Sequence, residues 1–332
     1  MTSLYIVVTL AIIFDFINGF HDSANSIATV VSTKVLSPLA AVSMAAFFNF
    51  IAFTVFPMKV AHTIGKGVVN VDVLNHTVIA GALFAAITWN LVTWWWGLPS
   101  SSSHTLVGGL VGASIVHSGT SSVVVSGVLK IVAFIFIAPF LGMVLSFIIS
   151  TSVVYLCRKM APFKIDKLFR RLQLISSSLF SLGHGGNDAQ KSMGIIWAAL
   201  IVKGLASPTD GRPAMWVILS CQAAIALGTL FGGWRIVKTM GQKITKLKPF
   251  EGFCAETAGT LTLFGATSLG IPVSTTHTIT GAIMGVGARK GLSAVKWGVT
   301  RKIFWAWILT IPVSAVIGGT MYFFFTLVFP AM

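Results

Sequence analysis

Apolar runs, several as long as the roughly 20 residues of one helical bilayer crossing, recur from end to end of this 332-residue chain. They fall near 4–20, 38–58, 77–96, 123–156, 193–205, 214–234, 253–269 and 303–329, and the run at 123–156 is long enough for a helical hairpin turning at Pro139. The runs are continuous rather than alternating, which excludes a transmembrane β-barrel. Only 9% of residues are charged, against roughly a quarter in a soluble domain, and mean hydropathy is +0.89. Such a chain cannot cover its surface with polar groups, so lipid is its solvent. The expectation is an all-α, multi-pass integral membrane protein. The first run has no basic flank and no small-residue cleavage site, so it is expected to remain in the mature chain.

The formal net charge is +15. In a soluble chain that would point to nucleic acid, which is not expected as a partner here. The basic residues lie in connecting stretches instead. Residues 157–171 carry Arg158, Lys159, Lys164, Lys167, Arg170 and Arg171 against Asp166, and 235–248 and 288–302 carry five basic residues each. Short basic connections face the cytoplasm. Cys157, Cys221 and Cys254 are too scattered for a metal site and are read as packing residues.

Two stretches are repeated. "GLPSSSSHTLVGGLVGA" (97–113) aligns without a gap to "GIPVSTTHTITGAIMGV" (270–286), and "GFHDSANS" (19–26) aligns with "GGNDAQKS" (185–192). Each half of the chain thus holds an Asp motif followed later by a Pro–hydroxyl–His motif. The expected organisation is a first repeat at 1–156, a basic cytoplasmic linker at 157–171 and a second repeat at 172–332. The segments near 98–116 and 271–288 are short and rich in Ser, Thr and Gly, and read as re-entrant or broken helices. Paired, Gly/Pro-interrupted segments of this kind mark secondary transporters. Spacing alone leaves open whether the halves are parallel or inverted.

Asp15, Asn18, Asp22, Asn25 and Thr29 recur at steps of three and four and share one helix face. His184, Asp188 and Lys191 do the same, with Asn187 beside them. Ionisable groups inside a membrane face a bundle interior or a watery cavity. Gly19, Gly183, Gly185 and Gly186 would permit unwound backbone there. In the hydroxyl motifs, Pro stands just ahead of a helix start, where N–H groups are unpaired and the dipole is positive. Ser101, Ser102, Ser103 and Thr105, with Ser274, Thr275, Thr276 and Thr278, make two donor-rich helix starts suited to a tetrahedral oxyanion; each alone could equally be a helix cap. His104 and His277 could carry a proton, contact substrate or fix the loop. Two membrane Asp residues would repel an anion unless a cation or proton loads with it, which is the logic of symport. A channel would use the same lining without coupling. An intramembrane hydrolase is disfavoured because Ser103 and His104, adjacent on a helix, point about 100° apart.

"GFHDSANSIATVVSTKVLSP", "GHGGNDAQKSMGI", "PSSSSHTLVGGLVGA" and "PVSTTHTITGAIMGVGA" together resemble the PiT family of inorganic phosphate transporters, in particular its bacterial low-affinity branch, over nearly the whole chain. The resemblance implies about 10–12 membrane segments with two re-entrant helical hairpins, two inverted repeats, a homodimer and a bacterial inner-membrane location. It implies no enzyme activity and no covalent cofactor. The cargo would be phosphate, as the free ion or complexed to a divalent metal, co-transported with protons or, alternatively, sodium; sulfate is the runner-up cargo. Phosphate would lie near Asp22, Asn25, Ser102, Ser103, Asp188, Thr275 and Thr276. The chain departs from the sodium-coupled pattern at His21 and at Lys191, each where Asn is common. A fixed Lys191 ammonium could take the role of a bound sodium, so proton coupling is expected. Asp22, Asp188, Lys191, His104, His277 and Glu256 are the candidate coupling residues.

Overall fold

The computed structural model describes residues 1–207 and 209–329. Its elements fall into two series in the same order. The first comprises α1 (Thr2–Ser32), α2 (Pro38–Ile51), α3 (Lys59–Lys66), α4 (His76–Trp96), α5 (Ser102–Ser118) and α6 (Val125–Cys157). The second comprises α7 (Pro162–Val202), α8 (Met215–Phe231), α9 (Trp234–Lys238), α10 (Pro249–Ser268), α11 (Thr275–Lys290) and α12 (Trp297–Val328).

The polarity of the molecule is inverted relative to a water-soluble protein. Asp15, Asp22, Asp188, Lys191 and Glu256 are buried, while Leu39, Leu156 and Val316 are at least 70% exposed. Outward apolar side chains are stable only against hydrocarbon, and inward charges must find partners within the bundle. Among the described residues, four helices (α1, α4, α6 and α12) are long and apolar enough to cross a membrane, and α8 with the segment from Trp234 to Lys243, bent by 60°, makes up to a fifth. The expected tally of membrane segments is larger for a physical reason. Of the others, α7 is too polar through its middle, where the Asp motif lies, and α5 and α11 are 17 and 16 residues long.

Two sequence expectations are corrected. Residues 125–157 do not turn at Pro139; they form one continuous helix with the proline inside. The flanking Ala138 and Phe140 offer no turn chemistry, and a proline removes a single backbone bond. The Ile135 carbonyl, four residues earlier, faces His277. Pro312 occupies the corresponding place in α12. The glycines of the Asp motifs do not unwind their helices either, because α1 and α7 run unbroken through them. They serve close approach instead. A Cβ at Gly19 would strike the backbone of Ile225 on α8, and one at Gly185 the backbone of Asn49 on α2.

That packing is reciprocal. α1 lies on α8 and α2 on α7; α5 lies on α12 and α11 on α6. Each half therefore completes the other. The 41-residue α7 rises about 60 Å, twice the hydrocarbon thickness, and its first turns, residues 162–171, are mostly exposed.

Candidate functional site

Four elements converge: the middles of α1 and α7 with their aspartates, and the starts of α5 and α11. Ser101 and Ser274 are the N-caps of those short helices, accepting from the His104 and His277 backbone N–H at 3.3 and 3.2 Å. Pro99 and Pro272 stand two residues ahead of the caps rather than at the first helical position. Capping uses one N–H of each first turn and leaves others without an intrahelical partner.

The two halves bond across one another. Asn25 Nδ2 on α1 donates to Thr275 Oγ1 at 3.1 Å and Thr276 Oγ1 at 2.9 Å on α11. The reciprocal bond runs from Lys191 Nζ on α7 to Ser103 Oγ on α5. Lys191 also donates to Asp188 Oδ1 at 2.5 Å and to the Val273 carbonyl at 3.2 Å, while Thr275 Oγ1 donates to Asp188 Oδ2 at 3.2 Å. Asp22 is held differently: its Oδ1 lies 2.5 Å from His21 Nδ1, and His21 Nε2 lies 3.1 Å from Thr93 Oγ1. His184 Nε2 approaches Asp188 Oδ2 at 3.5 Å, and its other nitrogen lies 3.1 Å from Asn49 Oδ1. One ligand atom each from Asp22, His184 and Asp188 lies within 4.8 Å of the other two. None of the four hydroxyl and carboxylate anchors Asp22, Asp188, Ser103 and Thr275 is more than 4% exposed, so the site is closed to solvent.

Asp22, Asn25, Ser102, Ser103, Asp188, Lys191, Thr275 and Thr276 are thus brought to one place. Ser102 Oγ and Asn25 Oδ1 are buried there with no hydrogen-bond partner among the described residues; the hydroxyl is a donor that an oxyanion could engage, and the amide oxygen an acceptor for a protonated one. Thr105 bonds back to the Ser102 carbonyl at 2.7 Å, and Asn187 ties α7 to Thr267 at 3.0 Å; both brace the site from behind. His104 and His277 meet each other, with ring centroids 4.9 Å apart, and His277 stacks on Trp307 at 4.0 Å. They join the two helix starts rather than the aspartates. Glu256 is not at the centre. It accepts from Gln173 at 3.0 Å and from Ser176, twelve residues before Asp188 on α7, which is about 18 Å along the axis.

Asn49, Thr93 and the Val273 carbonyl are site components that sequence reasoning missed. Asn49 had a signal, a lone amide inside an apolar run. Thr93 had none beyond its type, and a backbone carbonyl has no sequence signature.

The sequence profile of the Phosphate transporter family matches this chain twice in succession, over residues 18–166 and 158–318. A probable low-affinity inorganic phosphate transporter of Rhizobium meliloti is 56% identical over 316 residues, 95% of this chain and 94% of that one. A protein of the same description from Bacillus subtilis is 43% identical over 98% of this chain and 97% of its own length. A solved structure described as the sodium-dependent phosphate transporter superposes with a TM-score of 0.89 at 28% identity, covering 99% of this chain and all of the other. With its paired motifs gathered into one closed site and its likeness running nearly end to end, the chain belongs to the phosphate transporter family and is a membrane transporter rather than an enzyme.

Proposed function

We propose that the chain is a secondary active symporter that carries inorganic phosphate across the bacterial inner membrane together with protons. The observation that carries this reading is the cross-bonding of the two halves at one buried place. Asn25 reaches Thr275 and Thr276, Lys191 reaches Ser103, and both aspartates come within a few ångströms of each other. Phosphate would be held by Ser102, Ser103, Thr275 and Thr276 with the free N–H groups of α5 and α11, whose dipoles favour an anion. Ser101 and Ser274 keep those helix starts formed. Asn25, Asn187 and Thr105 fix the walls. Protonated phosphate can also donate to Asp22 or Asp188, which sulfate at neutral pH cannot. The Asp22–His184–Asp188 set offers a place for the divalent cation of a metal–phosphate cargo.

The solved relative is described as sodium-dependent. Here Lys191 brings its own ammonium to Asp188, and a fixed positive charge there opposes a sodium ion. The reciprocal packing and the doubled family match support two structurally equivalent repeats; in the arrangement we propose they are inverted, with α5 and α11 as arms of re-entrant hairpins and the 10–12-segment chain working as a homodimer. In that arrangement the repeat units at 1–156 and 172–332 each contribute one Asp motif and one helix start around phosphate, and residues 157–171 join them on the cytoplasmic side.

Labelled phosphate uptake into proteoliposomes, with pH and sodium gradients imposed separately and sulfate as competitor, tests the reading. Accumulation driven by the pH gradient alone is expected. Accumulation that requires sodium would overturn the role given to Lys191, and strong competition by sulfate would overturn the cargo.

A further inference from the structure

Asp15 is the one aspartate of the α1 polar face that the phosphate site does not use. It is fully buried, and neither carboxylate oxygen has a hydrogen-bond partner among the described residues. Both side-chain polar atoms of Asn18 and the hydroxyl of Ser192 are likewise buried and unpartnered. Ser192, Asn18 and Cys221 flank the carboxylate as potential hydrogen-bonding neighbours, none of them at the distance and angle of a formed bond. These groups come from α1, α7 and α8, so the packing of three helices assembles the pocket. Position 15 has no acidic counterpart in the second half. There the aligned residue is Ser181, satisfied by the Ser177 carbonyl of its own helix at 2.9 Å.

A carboxylate in these surroundings needs a cation of its own, because an isolated buried charge is heavily penalised. Asp188 has Lys191 and Asp22 has His21; Asp15 has neither. The titratable groups that face it are Asp188 from α7 and Cys221 from α8, and the other elements packed on α1 add none among the described residues. Beside this carboxylate stand a hydroxyl, an amide and a thiol, with Asp188 already committed to Lys191; that is too little negative charge for a divalent metal ion but enough for a proton.

We propose that Asp15 is the coupling-proton site, separate from the pair that holds the anion. This rests on the proton-coupled phosphate carriage proposed above. Its carboxylate takes a proton from water on one side of the membrane, forming the O–H bond, and returns it to water on the other side after the cargo has crossed. Asp15 lies two turns from Asp22, about 10 Å along α1. At an effective dielectric near 20, one charge at that distance changes affinity for an anion by on the order of tenfold. Neutralising Asp15 therefore tightens phosphate binding by about that factor, and by reciprocity bound phosphate tightens the hold on the proton.

The test uses the full chain in proteoliposomes. D15N is expected to keep phosphate counterflow, measured without any gradient, within about threefold of the unmodified protein, and to lose pH-gradient-driven accumulation at least tenfold; D15E restores it. D15N that accumulates phosphate as the unmodified protein does would overturn the assignment. Where D15N fails to fold, D15E carries the test: a pH profile of accumulation displaced from that of the unmodified protein is expected, and an unchanged profile overturns the proposal. If the unmodified protein shows counterflow but accumulates with sodium only, Asp15 loses its role while phosphate carriage stands. Absence of counterflow in the unmodified protein overturns both.

Discussion

The two halves of the site solve one problem with different charges. In the second half a carboxylate meets an ammonium: Asp188 and Lys191 are 2.5 Å apart and both are buried. In the first half the corresponding carboxylate, Asp22, meets an imidazole at the same distance, and the position aligned with Lys191 is a neutral amide, Asn25. Around them the scaffold is duplicated down to the serine caps. The comparison teaches that duplication fixed the frame, while charge was distributed unevenly within it. The second half adds a lysine where the first offers only an amide.

Changes at three kinds of position would break or sharpen that contrast. The largest effect is expected at Lys191. Its replacement by alanine strands Asp188 without a counter-charge, and breaking one side of a buried ion pair costs about 3–5 kcal/mol. Unfolding in detergent should register this, and adding D188N to K191A should recover much of the loss. A K191A cost below about 1 kcal/mol would mean that the pair does not organise the second half. The effect of His21→Ala should be smaller, about 1–3 kcal/mol, because it leaves a buried carboxylate oxygen without its hydrogen bond. A loss equal to that of K191A would erase the distinction between the halves. The smallest effects belong to the caps. Ser101→Ala and Ser274→Ala should each cost about 1 kcal/mol, and by the same amount, since both caps have the same geometry. Unequal losses would show that the duplicated frame is itself asymmetric.

Much of this site was legible before any coordinates. Residues seven positions apart on a helix share a face, so Asp15 and Asp22 had to be neighbours of a kind. The doubled Pro–hydroxyl–His motif announced two matching helix starts. What could not be read was which atoms meet across the halves. That Asn25 bonds to Thr276 while Lys191 bonds to Ser103 depends on reciprocal packing, and no spacing within one half encodes it. The glycines misled because a residue without a side chain permits two things, an irregular backbone and a close neighbour. Only the position of Ile225 and Asn49 decides between them. Pro139 misled for a similar reason: a proline in a long apolar run fits a turn or a continuous helix, and the helix prevailed. Glu256 stands out in the sequence as a carboxylate early in an apolar segment, and its distance from Asp188 is a property of the packing of α7 on α10.

Those glycine contacts also bear on movement. Backbone presses on backbone where Gly19 meets Ile225 and where Gly185 meets Asn49, and neither place has a flexible side chain to absorb sliding. Any opening of the site that preserves these contacts must carry α1 together with α8, and α7 together with α2. The bodies that rock are then mixtures of early and late sequence, one holding Asp22 and the other Asp188. A cross-link between α1 and α8 would be silent, whereas one between α1 and α7 would stall the carrier.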